Sequence, residues 1–211
     1  DRDWSSDVCS SDLSARCPHP KGCTYTALCE VAGALNAHGV ETEIRWVGNE
    51  PIASCIDCGA CEETRRCFRK DGVNAFLDAA EQADGFVFGS PVHYAAATGA
   101  ITSFLGRVFY AGGATLAGKP GAAVVSCRRG GASAAFDQLN KFFTIAGMPV
   151  VPSQYWNSVH GNTPDEVGRD LEGLQTMRTL GNNMAWLLHS LAAAGLPAPQ
   201  PEPRVSTNFI R

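Results

Sequence analysis

The 211-residue chain has no apolar run approaching the roughly 20 residues that a bilayer-crossing helix requires, so no membrane partner is expected. It has no surplus of basic charge either. The formal net charge is −4 and no basic stripe is visible, which argues against nucleic acid as a main partner. Three signatures of common enzyme classes are missing. The lack of Gly-x-Gly-x-x-Gly argues against a nicotinamide-binding Rossmann domain, and the lack of a Gly-x-x-x-x-Gly-Lys-Ser/Thr loop argues against an NTPase. Without a Gly-x-Ser-x-Gly elbow a serine hydrolase is unsupported. His19, His38, His160 and His189 are not spaced as a metal set.

Cysteine, by contrast, is plentiful, and four of the nine fall within thirteen residues as Cys55, Cys58, Cys61 and Cys67. The spacing is C-x2-C-x2-C-x5-C. Three thiolates on consecutive turns of one loop, with a fourth returning just after, can surround one compact metal centre. A cubane iron–sulfur cluster requires this arrangement, one thiolate per iron. Gly59 permits the tight turn, and Arg65, Arg66, Arg69 and Lys70 stand close enough to offset part of the cluster's negative charge. A structural zinc site uses the same ligands, usually as two chelating pairs with a longer spacer. Empty or redox-active thiols are a third reading. Disulfides would suit a secreted chain, but nothing here looks secreted. Cys23, Cys29 and Cys127 sit at helix or strand ends, where free cysteine serves as a small buried hydrophobe. The chain reads as cytoplasmic and reduced.

Length and an ordinary composition (45% hydrophobic, 18% charged) suit one α/β domain with a full core. Residues 1–13 do not match the rest of the chain. They contain the near-repeat Ser-Ser-Asp-Val and Ser-Ser-Asp-Leu, have no helical or strand periodicity, and lack the basic start and apolar centre of a signal peptide. They read as a non-native leader, and most of the net negative charge lies in them.

From residue 14 onward the pattern alternates. A helix is expected from Tyr25 to about His38, with Leu28, Val31, Ala32 and Leu35 on one face and Gly39 as the stop. An edge strand follows at 40–47, then the cysteine loop at 51–71, a helix at 73–82 and a continuous apolar strand at 83–91. A helix at 98–109, a buried strand at 119–126 and a helix at 132–146 come next. A short strand near 148–152 and a helix at 165–194 with a weak point at Gly181 complete the domain at 14–196. Residues 197–211 read as an extended proline-rich arm. Strands alternating with helices imply a doubly wound parallel sheet covered on both faces, a three-layer sandwich whose ligands bind beyond the carboxyl ends of its strands. Three loops occupy that position: 16–24, 89–98 and 126–132.

These loops and the cysteine cluster together resemble the flavodoxin-like NAD(P)H-dependent FMN reductases, specifically their iron–sulfur flavoprotein branch. The resemblance is carried by Pro18-His-Pro-Lys-Gly-Cys-Thr-Tyr-Thr26, by Gly89-Ser-Pro-Val-His-Tyr94, by Ser126-Cys-Arg-Arg-Gly-Gly131 and by the closing Thr207-Asn-Phe-Ile-Arg211. It covers roughly residues 17–211. The family's first strand, central in a 2-1-3-4-5 sheet, is not recognisable, and Ala15, Arg16 and Cys17 stand where Asn, Gly and Ser are expected. A truncated first strand is therefore expected.

The resemblance implies FMN as cofactor, NAD(P)H as co-substrate and a 4Fe-4S cluster held by Cys55, Cys58, Cys61 and Cys67. It implies a phosphate site around Cys17, His19, Lys21, Cys23, Thr24 and Thr26, where the first helix offers backbone N–H groups and the positive end of its dipole. The loop with Pro91, Val92, His93, Tyr94 and Ala95 would lie along the flavin ring; His93 or Tyr94 would stack on it or pack at a subunit interface. Cys127, Arg128, Gly130 and Gly131 would face the ring edge that gains negative charge on reduction. No residue is assigned as catalytic, because the cofactor carries the chemistry. The partners implied are a small-molecule acceptor such as a quinone or flavin, a ferredoxin-like donor, and further copies of the chain in a homodimer or homotetramer. The apolar stretch 92–109 and the arm 197–211 are the expected contact surfaces. Tyr155 and Trp156 would wall a substrate pocket or a subunit contact. Two further functions stay open: a non-enzymatic iron–sulfur/flavin electron carrier, and an FMN-binding module with a structural zinc or an empty cysteine site.

Overall fold

The computed structural model describes residues 10–14, 21–200, 202–203, 205–207 and 209, with residues 10–14 as backbone alone. Alternation of strand and helix produces the expected three layers. In chain order the elements are β1 (Ser10–Ser14), α1 (Cys23–Ala37), β2 (Thr42–Trp46), α2 (Cys61–Thr64), α3 (Gly72–Ala80), β3 (Gly85–His93), β4 (Ala96–Ala97), α4 (Gly99–Leu116), β5 (Gly121–Cys127), α5 (Ala132–Ile145), β6 (Ser158–His160), α6 (Pro164–Val167) and α7 (Leu171–Ala194). The sheet runs β2-β1-β3-β5-β6, all parallel, with β4 added antiparallel to the end of β3. Setting β4 aside, this is the 2-1-3-4-5 order of a flavodoxin-like sheet.

Two expectations about strands are corrected. The central lane holds a strand, contrary to the truncation expected from the sequence: β1 pairs with β2 from Ser10↔Thr42 to Ser14↔Trp46, and with β3 from Ser10↔Gly85 to Asp12↔Val87. Periodicity could not reveal it, because the lane is set by the backbone donors and acceptors that β2 and β3 present on either side. The far edge is β6 at Ser158–His160, and the segment at 148–152 contributes only a bridge between Gly121 and Val150. Val151 N–H donates to Gly121 O and Gly121 N–H to Pro149 O, so that segment satisfies the base of β5 without extending the ladder.

The core divides at the sheet. Phe86 and Phe88 of β3 with Ala123 and Val125 of β5 pack against Phe76 and Leu77 of α3, Ile101, Phe104, Leu105 and Val108 of α4, and Leu139 and Phe143 of α5. On the other face Val87, Ala122 and Val124 meet Leu28, Val31 and Leu35 of α1 and Met177, Leu180 and Met184 of α7. Ile101, Phe104, Leu105 and Val108 are thus spent on the core. Tyr94 is the large apolar side chain of the 92–109 stretch left exposed.

The helices start where short polar side chains satisfy their first amides. Asp71 accepts from Val73 N–H, Thr98 from Ile101 N–H and Asp170 from Gly173 N–H. Gly181, read as a weak point, has a packing reason. A Cβ built there would stand 2.6 Å from Ala34 Cβ and 2.7 Å from Val31 O, so its absence lets α7 lie directly on α1. Gly33, on the exposed side of α1, has nothing within 4 Å of a built Cβ.

The two glycines should therefore respond to alanine with opposite signs. Gly33→Ala should stabilise by about 0.5–1 kcal/mol through helix propensity. Gly181→Ala should destabilise, because overpacking against the backbone of α1 costs about 1–3 kcal/mol and exceeds the same gain. Urea unfolding midpoints measure both, and equal shifts would refute the close-packing account.

Candidate functional site

Both faces of the sheet being covered, polar chemistry is displaced to the loops at its carboxyl edge. Three of them are tied together by side chains. The Thr24 and Ser126 hydroxyls, both buried, share a hydrogen bond of 2.8 Å, joining the start of α1 to the end of β5. Ser90 Oγ accepts from Thr98 N–H at 3.0 Å and donates to Pro91 O at 2.8 Å, closing the β3–α4 loop. Gln138 Oε1 accepts Ala97 N–H at 3.0 Å and holds that loop to α5.

The tip of the loop is the hairpin turn between β3 and β4. Tyr94 (φ 49°) and Ala95 (φ 60°) both adopt the left-handed region, as the two central residues of a type I′ turn must. Neither is glycine or asparagine, so the turn carries backbone strain. Tyr94 stands wholly in solvent at this tip. Gly131, at φ 91°, lies beneath: a Cβ there would fall 2.6 Å from Ala95 Cα. The second and third loops therefore touch backbone to backbone.

Of the expected first-loop residues, Cys17 and His19 lie outside the described residues. Lys21 is exposed beside the start of α1. That helix begins at Gly22, which has no side chain to cap it, and no acidic residue stands in its first turn. The Thr26 hydroxyl donates to Gly22 O at 3.2 Å, and Cys23 Sγ approaches Gly161 O at 3.8 Å. Pro91 is buried, Val92 half-buried and His93 exposed. Cys127 is buried, and burial pushes its thiol up from the ordinary value, opposed by the Arg129 backbone N–H. Arg128, Arg129 and Gly130 are exposed.

The four clustered cysteines line one recess of roughly 570 Å³, its open mouth included, together with Ile56, Phe68, Arg107 and Tyr110. The loop reaches this shape through three left-handed residues: Asp57 (φ 52°), Gly59 (φ 71°) and Arg65 (φ 55°). Gly59 plays its expected part, its carbonyl accepting from Glu62 N–H as α2 begins. Asp57 N–H donates to Cys55 Sγ at 3.4 Å. Burial raises the Cys61 thiol, against its own backbone hydrogen bond, and Cys55, Cys58 and Cys67 raise it further. Among the described residues, no three His, Cys, Asp or Glu side chains converge tightly enough for a single metal ion. Of the expected basic set, Arg66 pairs with Asp78 and Glu81, and Arg69 lies over the Phe68 ring at 5.1 Å.

Three residues that no sequence motif singles out hold Cys67. Asn74 Oδ1 accepts Cys67 N–H at 2.9 Å and its Nδ2 donates to Cys67 O at 2.8 Å. Arg107 donates to Cys67 Sγ and pairs with Asp71, Nη1 to Oδ2 at 2.5 Å. Burial works against both charges of this pair, yet their mutual hydrogen bonds hold the Asp71 carboxyl below its ordinary range and raise Arg107. A signal for Arg107 was available. It sits between Phe104 and Ala111 at spacings of three and four, on the core-facing stripe of an apolar helix where a cation is out of place. Tyr155 and Trp156, with ring centroids 5.0 Å apart, line a separate recess with His160 and Asp170.

The chain matches the NADPH-dependent FMN reductase family over residues 17–163. An iron–sulfur flavoprotein of Methanocaldococcus jannaschii is 31% identical over 176 residues, covering 80% of this chain and 91% of that protein. Among solved structures, RosB with the bound intermediate 8-demethyl-8-formylriboflavin-5'-phosphate superposes with a TM-score of 0.66 at 17% identity, covering 97% of this chain and 93% of RosB. A flavodoxin from the domain Archaea gives a TM-score of 0.58 at 14% identity over 85% of this chain and 99% of its own. At these identities the two structures establish the fold.

The backbone contact between loops gives a direct check. Gly131→Ala forces a side chain into the left-handed region, at about 1–2 kcal/mol, and into Ala95 besides, so it should lower the urea midpoint by at least that amount. Gly130→Ala, with nothing within 4 Å of its built Cβ, should leave the midpoint within about 0.5 kcal/mol of the parent. Equal behaviour of the two variants would contradict the loop packing.

Proposed function

Since the chain belongs to the NADPH-dependent FMN reductase family, in its iron–sulfur flavoprotein branch, we propose that this FMN-dependent oxidoreductase takes electrons from NAD(P)H or a ferredoxin-like donor and passes them to a quinone, a flavin or another small acceptor. The observation that carries this reading is the meeting of three loops at the carboxyl edge, locked by Thr24 to Ser126 and by Gly131 against Ala95. RosB, of the same fold, was solved with a riboflavin-5'-phosphate derivative bound.

The residues present suit FMN. A phosphate at the start of α1 would meet a helix N-terminus with no acidic residue in its first turn and with Lys21 beside it. The hairpin from Val92 to Ala95 and the glycines at 130 and 131 would border the ring. Their backbone conformation is already set by the turn and by Gly131, so little reordering would accompany binding. Bound FMN would supply a ring that accepts a hydride and gives up electrons one at a time.

Cys55, Cys58, Cys61 and Cys67 also suit a 4Fe-4S cluster. They share one recess. One zinc would draw all four sulfurs to about 2.3 Å from itself, whereas four irons each take a separate thiolate. From Thr98, beside the flavin loop, to Arg107, beside Cys67, is about 14 Å along α4 at 1.5 Å per residue. We place the chain in a homodimer or homotetramer that brings one subunit's cysteine recess to a neighbour's flavin. The exposed Ile56, Phe68 and Tyr110 at the mouth of the recess are the surface such a neighbour would cover.

Protein purified anaerobically should be yellow-brown, release FMN on denaturation and contain about four irons and four sulfides per chain. A Cys58→Ala variant should lose the iron and sulfide and keep the flavin. Colourless protein indifferent to added FMN would refute flavin binding; stoichiometric zinc without sulfide would refute the cluster. Steady-state reduction of a quinone by NAD(P)H or by reduced ferredoxin should show sustained turnover, and its absence with both donors in flavin-loaded protein would mark an electron carrier. Light scattering should report two or four copies.

A further inference from the structure

Among the described residues, Arg107 is the charged side chain that the fold encloses, with 2% of its side chain exposed. Its guanidinium is fully committed. Nη1 donates to Asp71 Oδ2 (2.5 Å) and reaches Ala53 O at 3.5 Å, and Nη2 donates to Asp71 Oδ1 at 2.9 Å. Nε and Nη2 also point at Cys67 Sγ, at 3.2 and 3.1 Å. Pinning the cysteine loop to α4 would need only Asp71 and Ala53. The two N–H groups on sulfur exceed that need, and they stand where a cluster-ligating thiolate would accept them.

The four cysteines are not treated alike. Cys55 Sγ takes a backbone amide from Asp57 at 3.4 Å, and Cys61 Sγ approaches Tyr110 O at 3.8 Å as a donor. Cys67 receives the charge-assisted fork, and Asn74 clamps its backbone from both sides. The cation is buried while its counter-ion, Asp71, keeps 40% of its side chain in solvent. Solvent screens the carboxylate more than the guanidinium, so a net positive field remains at the Cys67 sulfur.

We infer that Arg107 and Asp71 are positioning residues that set the reduction potential of the group held by the four cysteines, Arg107 raising it through its fork on Cys67 and Asp71 lowering it by partly cancelling that charge. The inference rests on the reading that the recess holds an iron–sulfur cluster. Reduction adds one negative charge to the cluster and its sulfurs. A fixed cation hydrogen-bonded to one sulfur favours the reduced form, and net charge and hydrogen bonds to sulfur are the levers that set such potentials.

The test is a redox titration of the intact protein followed by electron paramagnetic resonance, with iron and sulfide measured on every sample. Arg107→Met, which keeps length and apolar packing, should shift the midpoint downward by at least a tenfold fall in the reduced-to-oxidised ratio at fixed potential, about 59 mV for one electron. Asp71→Asn, which preserves the helix cap, should shift it upward, and Arg107→Lys should fall between Arg107→Met and the parent. Opposite signs for the first two variants support the inference, since general loosening of the loop would move both the same way. Unchanged midpoints, or shifts of one sign, overturn it. If Arg107→Met loses its iron, the upward shift of Asp71→Asn decides alone. A parent protein without iron and sulfide refutes the cluster reading itself, an outcome visible before any variant is titrated.

Discussion

β3 is enclosed on both faces, with Phe86 and Phe88 turned into one layer and Val87 into the other, and β5 repeats the arrangement with Ala123 and Val125 against Ala122 and Val124. A strand in that position must be apolar throughout, and every hydrogen bond of its backbone must go to a neighbouring strand. Polar and flexible groups are thereby expelled to where the strands end. Gly130 and Gly131, the hydroxyls of Thr24, Ser90, Thr98 and Ser126, and the strained hairpin at Tyr94–Ala95 collect at that edge, where the strands end. The covered sheet is thus the constraint that fixes the location of the site.

Two kinds of fastening hold the edge in shape. Buried hydroxyls act across long sequence separations, as Thr24 does with Ser126, where an unpaired hydroxyl would cost about 1–3 kcal/mol. Missing side chains act by close approach. Gly131 admits the hairpin and Gly181 admits α1, each at a distance that a Cβ would forbid. The cysteine loop is fastened differently, by a buried ion pair. Enclosing Arg107 costs desolvation, which hydrogen bonds to Asp71, to the Cys67 sulfur and to Ala53 O offset. Apolar residues of similar volume would have closed the same space more cheaply, so a cation here points to a need for charge.

The legible parts of the protein were those encoded over short stretches. The helical stripe of Leu28, Val31, Ala32 and Leu35, the apolar strands now seen as β3 and β5, and the C-x2-C-x2-C-x5-C spacing each declare themselves within a few turns of chain. The order of the sheet followed from alternation together with the family resemblance. Less legible was the far edge, where 148–152 looked like a strand but Ser158–His160 pairs with β5. The first is apolar and so mimics a buried strand although Pro149 and Pro152 lack ladder donors, whereas the second is three residues of mixed polarity, so pattern favoured the wrong one.

Residue types and their local spacing determined the layer architecture, the carboxyl-edge location of the loops and the gathering of four thiols in one loop, because helix and strand periods and short chelate loops are properties of neighbouring residues. Tertiary structure alone decided the rest. It drew Ser10–Ser14 into the central lane, through backbone groups that carry no side-chain pattern. It set Arg107 against Cys67 forty positions away and Thr24 against Ser126 over a hundred away. Such contacts depend on how whole layers stack and where their ends arrive, and no local period of the chain encodes that.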